Sequence, residues 1–501
     1  MSGAPAEAPH LLASIGGCVQ VLDHHPWPRL VVEPGIWRDL SVALASGQLD
    51  LMGLFADGPA VHAVLLEPAV SALAVASLPC PRGRYPSLGR LHPPALRLER
   101  AIRDLHGLTA EDAPDDRPWL DHGRWSASRE EAKAPYPFLP VEGEGLHQIP
   151  VGPVHAGIIE PGHFRFTCNG ETVVRLEERL GYVHKGIEAL LAGAVLERAA
   201  RIISHVSGDS TVAYQIAFAR AVEAAAGGEP PRRAVWLRAL MAELERIANH
   251  VNDVGFIAND AAFALLHAHC GILREQVLQA CDAVFGHRLM MDRIVPGGVA
   301  VDLAPHGAGR LQHLAAELRD RFVGIVSAYD GSPSLKDRTV GTGIVSGQLA
   351  RRFAAGGHVG RASGRSFDCR RDLAYPPYDR LRFEVPVLEG GDVDARVWVR
   401  IREVEQSLSL VEQILEGLPE GPVLTPLRQQ PSEGLAFAEA FRGDVLVWVR
   451  LDAEGRIGRC HPRDPSWFQW PLLEAAIEGN IVADFPLCNK SFNCSYSGHD
   501  L

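Results

Sequence analysis

Two sets of residues in this sequence have types and spacings that could do chemistry: its thiols and a group of charged side chains at helical intervals. Nine cysteines, at positions 18, 80, 168, 270, 281, 369, 460, 488 and 494, are scattered, and none stands in a Cys-x-x-Cys pair. Structural zinc sites and ferredoxin-type clusters need closely paired thiolates, so this spacing argues against both. An odd, unclustered set also points to reduced thiols rather than a disulfide framework. Cys488 and Cys494 stand six apart with no partner pair, and Cys270 and Cys281 eleven apart on one expected helix. All four are expected to be buried thiols. Glu243, Arg246, His250 and Asp253 fall at i, i+3, i+7 and i+10, one polar stripe of a helix. By spacing alone that stripe reads as a solvated face. Gly341-Thr342-Gly343 is not followed by Lys-Ser/Thr, so it is no phosphate loop, and no Gly-x-Ser-x-Gly marks a nucleophile.

The elements that must hold these groups read as two domains, as 501 residues lead one to expect. An apolar share of 47% with 22% charged residues supplies a sizeable core and argues against disorder. The formal charge of −12 disfavours nucleic acid as a partner, because phosphate binding needs a basic patch. No stretch approaches the ~20 apolar residues that span a bilayer. The best candidate, Ala60–Leu78, is interrupted by His62, Glu67 and Pro68. No basic segment followed by an apolar run opens the sequence, so no secretory leader is expected. Residues 1–126 read as a small α/β domain, with strands over Leu49–Phe55 and Val61–Leu66 and a helix over Pro94–Leu105. Residues 127–150, rich in Pro, Glu and Gly, read as a linker. Residues 151–501 read as a larger, mainly helical domain. It opens with strands over Gly157–Thr167 and Thr172–Leu176. Helices follow over Arg233–Asp253, Phe263–Val284 and Val397–Glu416, then a strand over Asp444–Leu451 with a turn after it. The fold class is α+β.

An ordered string of motifs runs from Gly152: Gly152-Pro153-Val154-His155, Glu160-Pro161-Gly162-His163-Phe164-Arg165, Gly170-Glu171, and Gly181-Tyr182-Val183-His184-Lys185-Gly186-Ile187-Glu188. This string resembles the large subunit of group 4 nickel-iron hydrogenases, the formate-hydrogenlyase type, and the 49-kDa subunit of respiratory complex I. The resemblance extends from Gly152 to Leu501. Ahead of it, Glu99-Arg100, Asp104, Gly107-Leu108, Asp115, Arg117 and Leu120 resemble the signature of complex I's 30-kDa subunit. Formate-hydrogenlyase-type enzymes carry that unit fused in front.

The resemblance implies where a nickel-iron centre would sit, on four thiolates in two Cys-x-x-Cys pairs. At the first pair this sequence has Ile203 and Val206, and at the second Ser495 and Gly498, with Cys494 one residue early. None of the four is a soft donor, so the expectation is that this chain binds no metal or other cofactor of its own. Glu188 matches the family's proton-relaying glutamate, although a salt-bridged helix glutamate would look the same. Glu439-Ala440-Phe441-Arg442-Gly443-Asp444 resembles the loop whose arginine stands over the metal, and Arg442 could instead hold a quinone carbonyl or an anion. The family's quinone-binding His and Tyr correspond here to Pro161 and Ser204. His163, His205 and Tyr214 are close enough in sequence to substitute, or else are structural. Ser204, Asp209, Tyr214, Ser495 and Tyr496 are the expected cavity lining.

The resemblance further implies a peripheral subunit on the cytoplasmic face of a membrane. It would dock on an iron-sulfur small subunit and, through it, on antiporter-like membrane subunits. Two functions are expected on these grounds. One is a redox subunit passing electrons from the partner's cluster to a quinone or another small acceptor. The other is a non-catalytic coupling or scaffold subunit.

Overall fold

The computed structural model describes residues 18–125, 135–155, 159–428 and 430–501, which fall into two compact units. The first runs to Gly186 and takes in Arg351–Ala354 and Tyr496–Leu501; the second comprises Ile187–Ala350 and Ala355–Ser495.

In the first unit, apolar runs form a five-stranded sheet. Its strands are β1 (Val19–Val21), β2 (Arg29–Val31), β3 (Asp50–Asp57), β4 (Ala60–Glu67) and β5 (Ala72–Pro79), in the order β1-β2-β5-β4-β3. β3, β4 and β5 are buried along almost their whole length, which explains their continuous apolar character. Helix α1 (Pro34–Ala45) and helix α2 (Leu96–His106) complete the layer, and Gly107 ends α2 in the left-handed conformation that favours glycine. A second sheet pairs β6 (Leu146–Val151), β7 (His163–Asn169) and β8 (Thr172–Arg179), all antiparallel.

Two expectations are corrected here. The supposed linker ends in a true strand, β6, whose polar and proline residues suit a sheet edge rather than a core. Its residues 127–134, like residues 157 and 158 of the expected strand Gly157–Thr167, lie outside the described residues. The compact unit also runs on past residue 126. Arg179 on β8 donates to the carbonyl oxygens of Pro118 (2.8 Å), Trp119 and Asp121 (2.8 Å). Arg117 pairs with Glu177 at 2.6 Å. Asp500 closes the unit by accepting from the backbone N–H groups of Gly181 (2.9 Å) and Val183 (3.0 Å).

The second unit is mainly helical. Its principal helices are α3 (Ile187–Leu191), α4 (Leu196–Ser204), α5 (Thr211–Ala226), α6 (Arg232–Asp260), α7 (Ala264–Phe285), α8 (Gly307–Asp330) and α9 (Val393–Gly417). An antiparallel run β9 (Ser432–Ala440), β10 (Gly443–Leu451) and β11 (Ile457–Arg463) follows, then α10 (Ser466–Ala476) and α11 (Phe485–Phe492). The central helix α6 is longer than its apolar stripe of Leu240, Leu244, Ile247, Val251 and Val254 requires. Each of these side chains is buried, contributing about 1.5–3 kcal/mol of burial energy. Helix α9 is capped by Asp392, whose carboxylate accepts from Ala395 N–H at 2.8 Å. At Gly434 on β9 an added Cβ would lie 1.9 Å from the Ala221 carbonyl oxygen of α5, so glycine is what lets helix and strand meet. Among the described residues no helix is long and apolar enough to cross a membrane.

Candidate functional site

Helix α4 and the loop after it carry the first two of the implied ligand positions, and Ile203 and Val206 are both fully buried there, at 0% and 1% exposure. Ser204 on the same helix donates to or accepts from Thr211 Oγ1 at 3.2 Å and accepts from Asp292 N–H at 2.9 Å. Ser207 Oγ lies 3.1 Å from Ser495 Oγ, so the chain brings the α4 loop and the residue before its C-terminal segment together through hydroxyls. Thiolates for a nickel-iron centre are not among these groups. Aliphatic side chains fill two positions and a hydrogen-bonded hydroxyl a third, and a soft metal needs thiolates. Among the described residues no cluster of His, Cys, Asp and Glu has a metal-holding arrangement. Gly498 and Tyr496 belong to the first unit, as does His163.

The buried Arg442, in the turn between β9 and β10, is held from every side. Its Nη1 donates to Asp209 Oδ1 (2.8 Å) and Ser210 Oγ (2.9 Å), its Nη2 to Asp209 Oδ2, and its Nε to the Asn493 carbonyl. This is a bidentate fork, the geometry that distinguishes arginine from lysine. Burial would raise the Asp209 carboxyl, but the Arg442 guanidinium outweighs it and holds the group below its ordinary value. The turn itself is pressed by Gly357, whose added Cβ would lie 1.9 Å from the Arg442 carbonyl oxygen. The surface position that Arg442's charge would ordinarily suggest is thus excluded. Its donors are committed within the protein. Tyr214 on α5, also buried, donates to Asp464 Oδ2 at 2.8 Å.

Glu188, near the start of α3, is clamped between two side chains of β11. His461 Nδ1 lies 2.6 Å from its Oε1, and Arg459 Nη2 donates to its Oε2 at 2.9 Å. Arg459 and His461 are two apart on one strand and so share a face. His205 is different, with a side chain 56% exposed that meets Asp292 at 3.2 Å. In the first unit, His163 is buried and its Nδ1 lies 3.3 Å from the Gly152 carbonyl oxygen, with its ring against Phe138.

The polar stripe of α6 is buried along its length, which excludes a solvated face. Its partners come from distant segments. Glu243 receives Arg370 (3.0 Å), Tyr378 Oη (2.6 Å) and Ser407 Oγ (2.6 Å), and His250 Nε2 lies 2.7 Å from Glu403 on α9. Arg246 stands 3.4 Å from Glu243 and 3.6 Å from Glu403. Asp253 pairs with Arg400 (3.1 Å) and accepts from Asn493 Nδ2 (2.9 Å), so the stripe reaches the residue whose carbonyl holds Arg442. Burial alone would neutralise these acids. Arg370 and Arg246 outweigh it to keep Glu243 low, and Arg361 and His250 do so for Glu403.

A further buried acid was not singled out from sequence. Glu245 on α6 accepts from the N–H groups of Val212 (2.7 Å) and Ala213 (3.2 Å) in the first turn of α5, beside a small cleft that Asp209, Arg274 and Met290 also line. Burial pushes its carboxyl up to about 8 against the pull of the two N–H groups. Arg459, His461, Arg361, Asp368, Arg370 and Glu403 were likewise missed. For Arg459 and His461 the two-residue spacing on a strand was the available signal. The others sit in short or distant segments where no period marks them.

Known proteins share much of this chain. The family described as respiratory-chain NADH dehydrogenase, 49 Kd subunit, matches residues 261–434. Formate hydrogenlyase subunit 5 of Escherichia coli is 31% identical over 437 residues, covering 83% of this chain and 77% of that protein. The carbon monoxide-induced hydrogenase of Rhodospirillum rubrum is 33% identical over 353 residues, covering 69% and 97%. A subunit of the NADH-quinone oxidoreductase of Roseiflexus sp. is 32% identical over 352 residues, covering 67% and 94%. Among solved structures, a chain of the membrane-bound sulfane sulfur reductase, an archaeal respiratory membrane complex, superposes with a TM-score of 0.68 at 25% identity. That match covers 72% of this chain and all of that one.

Proposed function

Because the chain belongs to the family of the formate hydrogenlyase large subunit and the respiratory NADH dehydrogenase 49-kDa subunit, we propose that it is a peripheral subunit of a membrane-bound, complex I-related assembly. In this reading it works without a nickel-iron centre. It takes electrons from an iron-sulfur cluster in a partner subunit and delivers them to a quinone or another small acceptor, and antiporter-like membrane subunits move the coupled ion.

The observation that supports this reading is that Ile203, Val206, Ser495 and Gly498 stand where the resemblance implies four thiolates, while the charged groups Glu188, Asp209 and Arg442 are present and paired. Reduction of a quinone consumes two electrons and two protons. The Glu188–His461 pair, a carboxylate and an imidazole 2.6 Å apart, is the group here best suited to hand over a proton. Arg442 contributes by fixing Asp209 and the Asn493 backbone, since its own donors are engaged.

That same saturation of Arg442 favours a second reading, a coupling or scaffold subunit in which the charged groups transmit a change without meeting a substrate. Titration of the purified complex with quinone analogues separates the two. The redox reading expects saturable binding and turnover, lowered at least ~10-fold in Glu188→Gln and disturbed in Arg442→Ala. Unchanged binding and turnover in both variants defeats it and leaves the coupling role.

A further inference from the structure

The charged groups at the heart of the second unit do not balance. Arg361 stands between three carboxylates, Asp368 (3.4 Å), Glu403 (2.5 Å) and Glu439 (2.9 Å). Asp368 is shared with Arg370 (2.7 Å), which reaches Glu243 (3.0 Å), and Arg246 closes the ring between Glu243 and Glu403. Four carboxylates thus face three guanidinium groups, and every one of these side chains is buried. Leaving one negative charge unmatched in such a place is costly, so a proton must make up the difference.

We propose that this cluster is a binding site for one exchangeable proton, seated on Glu439, whose gain or loss acts on the turn that carries Arg442.

Glu439 is the acid least supported by cations. Its Oε1 has one guanidinium, Arg361, while the carboxyl otherwise accepts from the Cys369 N–H at 3.0 Å and from the Cys369 thiol, which burial keeps protonated, so both are neutral donors. Asp368, Glu403 and Glu243 each have two arginines, and Glu403 has His250 besides. The remaining groups that face it do not supply the missing charge. Arg246 spends its Nη donors on the Glu439 (2.7 Å) and Ala440 (3.1 Å) carbonyl oxygens. Tyr375 Oη accepts from the Glu439 N–H. Asp444 is matched by Arg463 at 2.5 Å, and Arg220 stacks on Tyr375 and donates to the Phe437 carbonyl from a half-buried position. Burial and the neighbouring Asp368 accordingly push the Glu439 carboxyl up to about 7. His250 is held low by burial against the pull of Glu403, so it is the second choice for the proton. Glu439 and Ala440 form the end of β9, and Arg442 follows directly after Phe441. Ionisation of Glu439 draws Arg361 and Arg246 toward its carboxylate and so pulls on the backbone that positions Arg442. A proton at Glu439 stands whether or not the electron path proposed above is correct.

Infrared pH-difference spectra of the full-length chain test this, because a protonated carboxyl has its own C=O band. Beyond the bands of the buried Glu99 and Glu245, the wild type is expected to lose one further such band with a midpoint near 7, and Glu439→Gln to lack that band. The bands expected from the buried Glu99 and Glu245 persist in both and report an intact fold. Glu403→Gln leaves three carboxylates against three arginines, so the Glu439 midpoint falls by about one pH unit or more. Asp368→Asn removes the same charge from the other side of Arg361 and shifts it in the same direction, should Glu403→Gln not fold. A wild-type spectrum that Glu439→Gln leaves unchanged overturns the proposal. So does a midpoint that moves in neither charge-removing variant.

Discussion

Single residues in this protein are informative through what stands where a resemblance implies another side chain. Ile203 and Val206 are buried as any aliphatic residues would be, and they hold the α4 loop by packing where the family's resemblance implies thiolates. Nearby, Glu245 performs a task that its charge makes difficult. It caps the first turn of α5 through two N–H groups, yet no basic side chain is paired with it among the described residues. Its carboxyl, ordinarily near 4.5, is raised to about 8. The folded protein therefore holds a proton there that the unfolded chain releases above 4.5. The contribution to stability is complete below pH 4.5, declines as pH rises, and is gone above about 8. The loss is on the order of 5 kcal/mol across that window. Denaturant midpoints measured from pH 4.5 to 8.5 are expected to fall more steeply in wild type than in Glu245→Gln. Equal slopes would mean that Glu245 ionises at its ordinary value.

At the scale of elements, sequence and structure agree where a single period decides and part where distant partners decide. The apolar stripe of α6 and the long apolar runs of β3 and β4 were legible because burial imposes a repeat on neighbouring residues. The stripe Glu243, Arg246, His250 and Asp253 was legible as a stripe only. Its burial depends on Arg370, Glu403 and Arg400, which lie more than a hundred positions away and carry no sign of the pairing in their own segments. Glu188 shows the same limit, since Arg459 and His461 reach it from the far end of the chain. Residues 146–151 failed for a different reason: an edge strand with proline and polar residues has no alternation to read. Gly434 belongs to this scale too, because its role is a contact between α5 and β9. With 1.9 Å between an added Cβ and the Ala221 carbonyl oxygen, neither backbone can yield without moving its whole element. Gly434→Ala should cost about 2–3 kcal/mol, at the upper end of overpacking penalties. Chemical denaturation would read this directly, and a change below about 0.5 kcal/mol would show that the helix and the strand are free to separate.

At the scale of the whole molecule the question is how a chain of this kind comes to a membrane at all. None of its described helices is long and apolar enough to cross one, and its formal charge is −12. The cytoplasmic surface of a membrane is itself negative and attracts clustered basic segments, worth roughly 1 kcal/mol per Lys or Arg near the surface. An acidic protein gains nothing from that term and is repelled on average. The proposed place in a membrane-bound assembly therefore puts attachment on protein contacts. The purified chain mixed with vesicles of phosphatidylcholine and phosphatidylserine is expected to stay in the supernatant at every ionic strength. In membranes prepared with its partner subunits it should sediment, and alkaline carbonate should release it, since none of its described helices crosses a membrane. If the chain alone floats with the vesicles, a lipid-binding surface exists that its charge and its helices do not reveal, and the partners are not what brings it there.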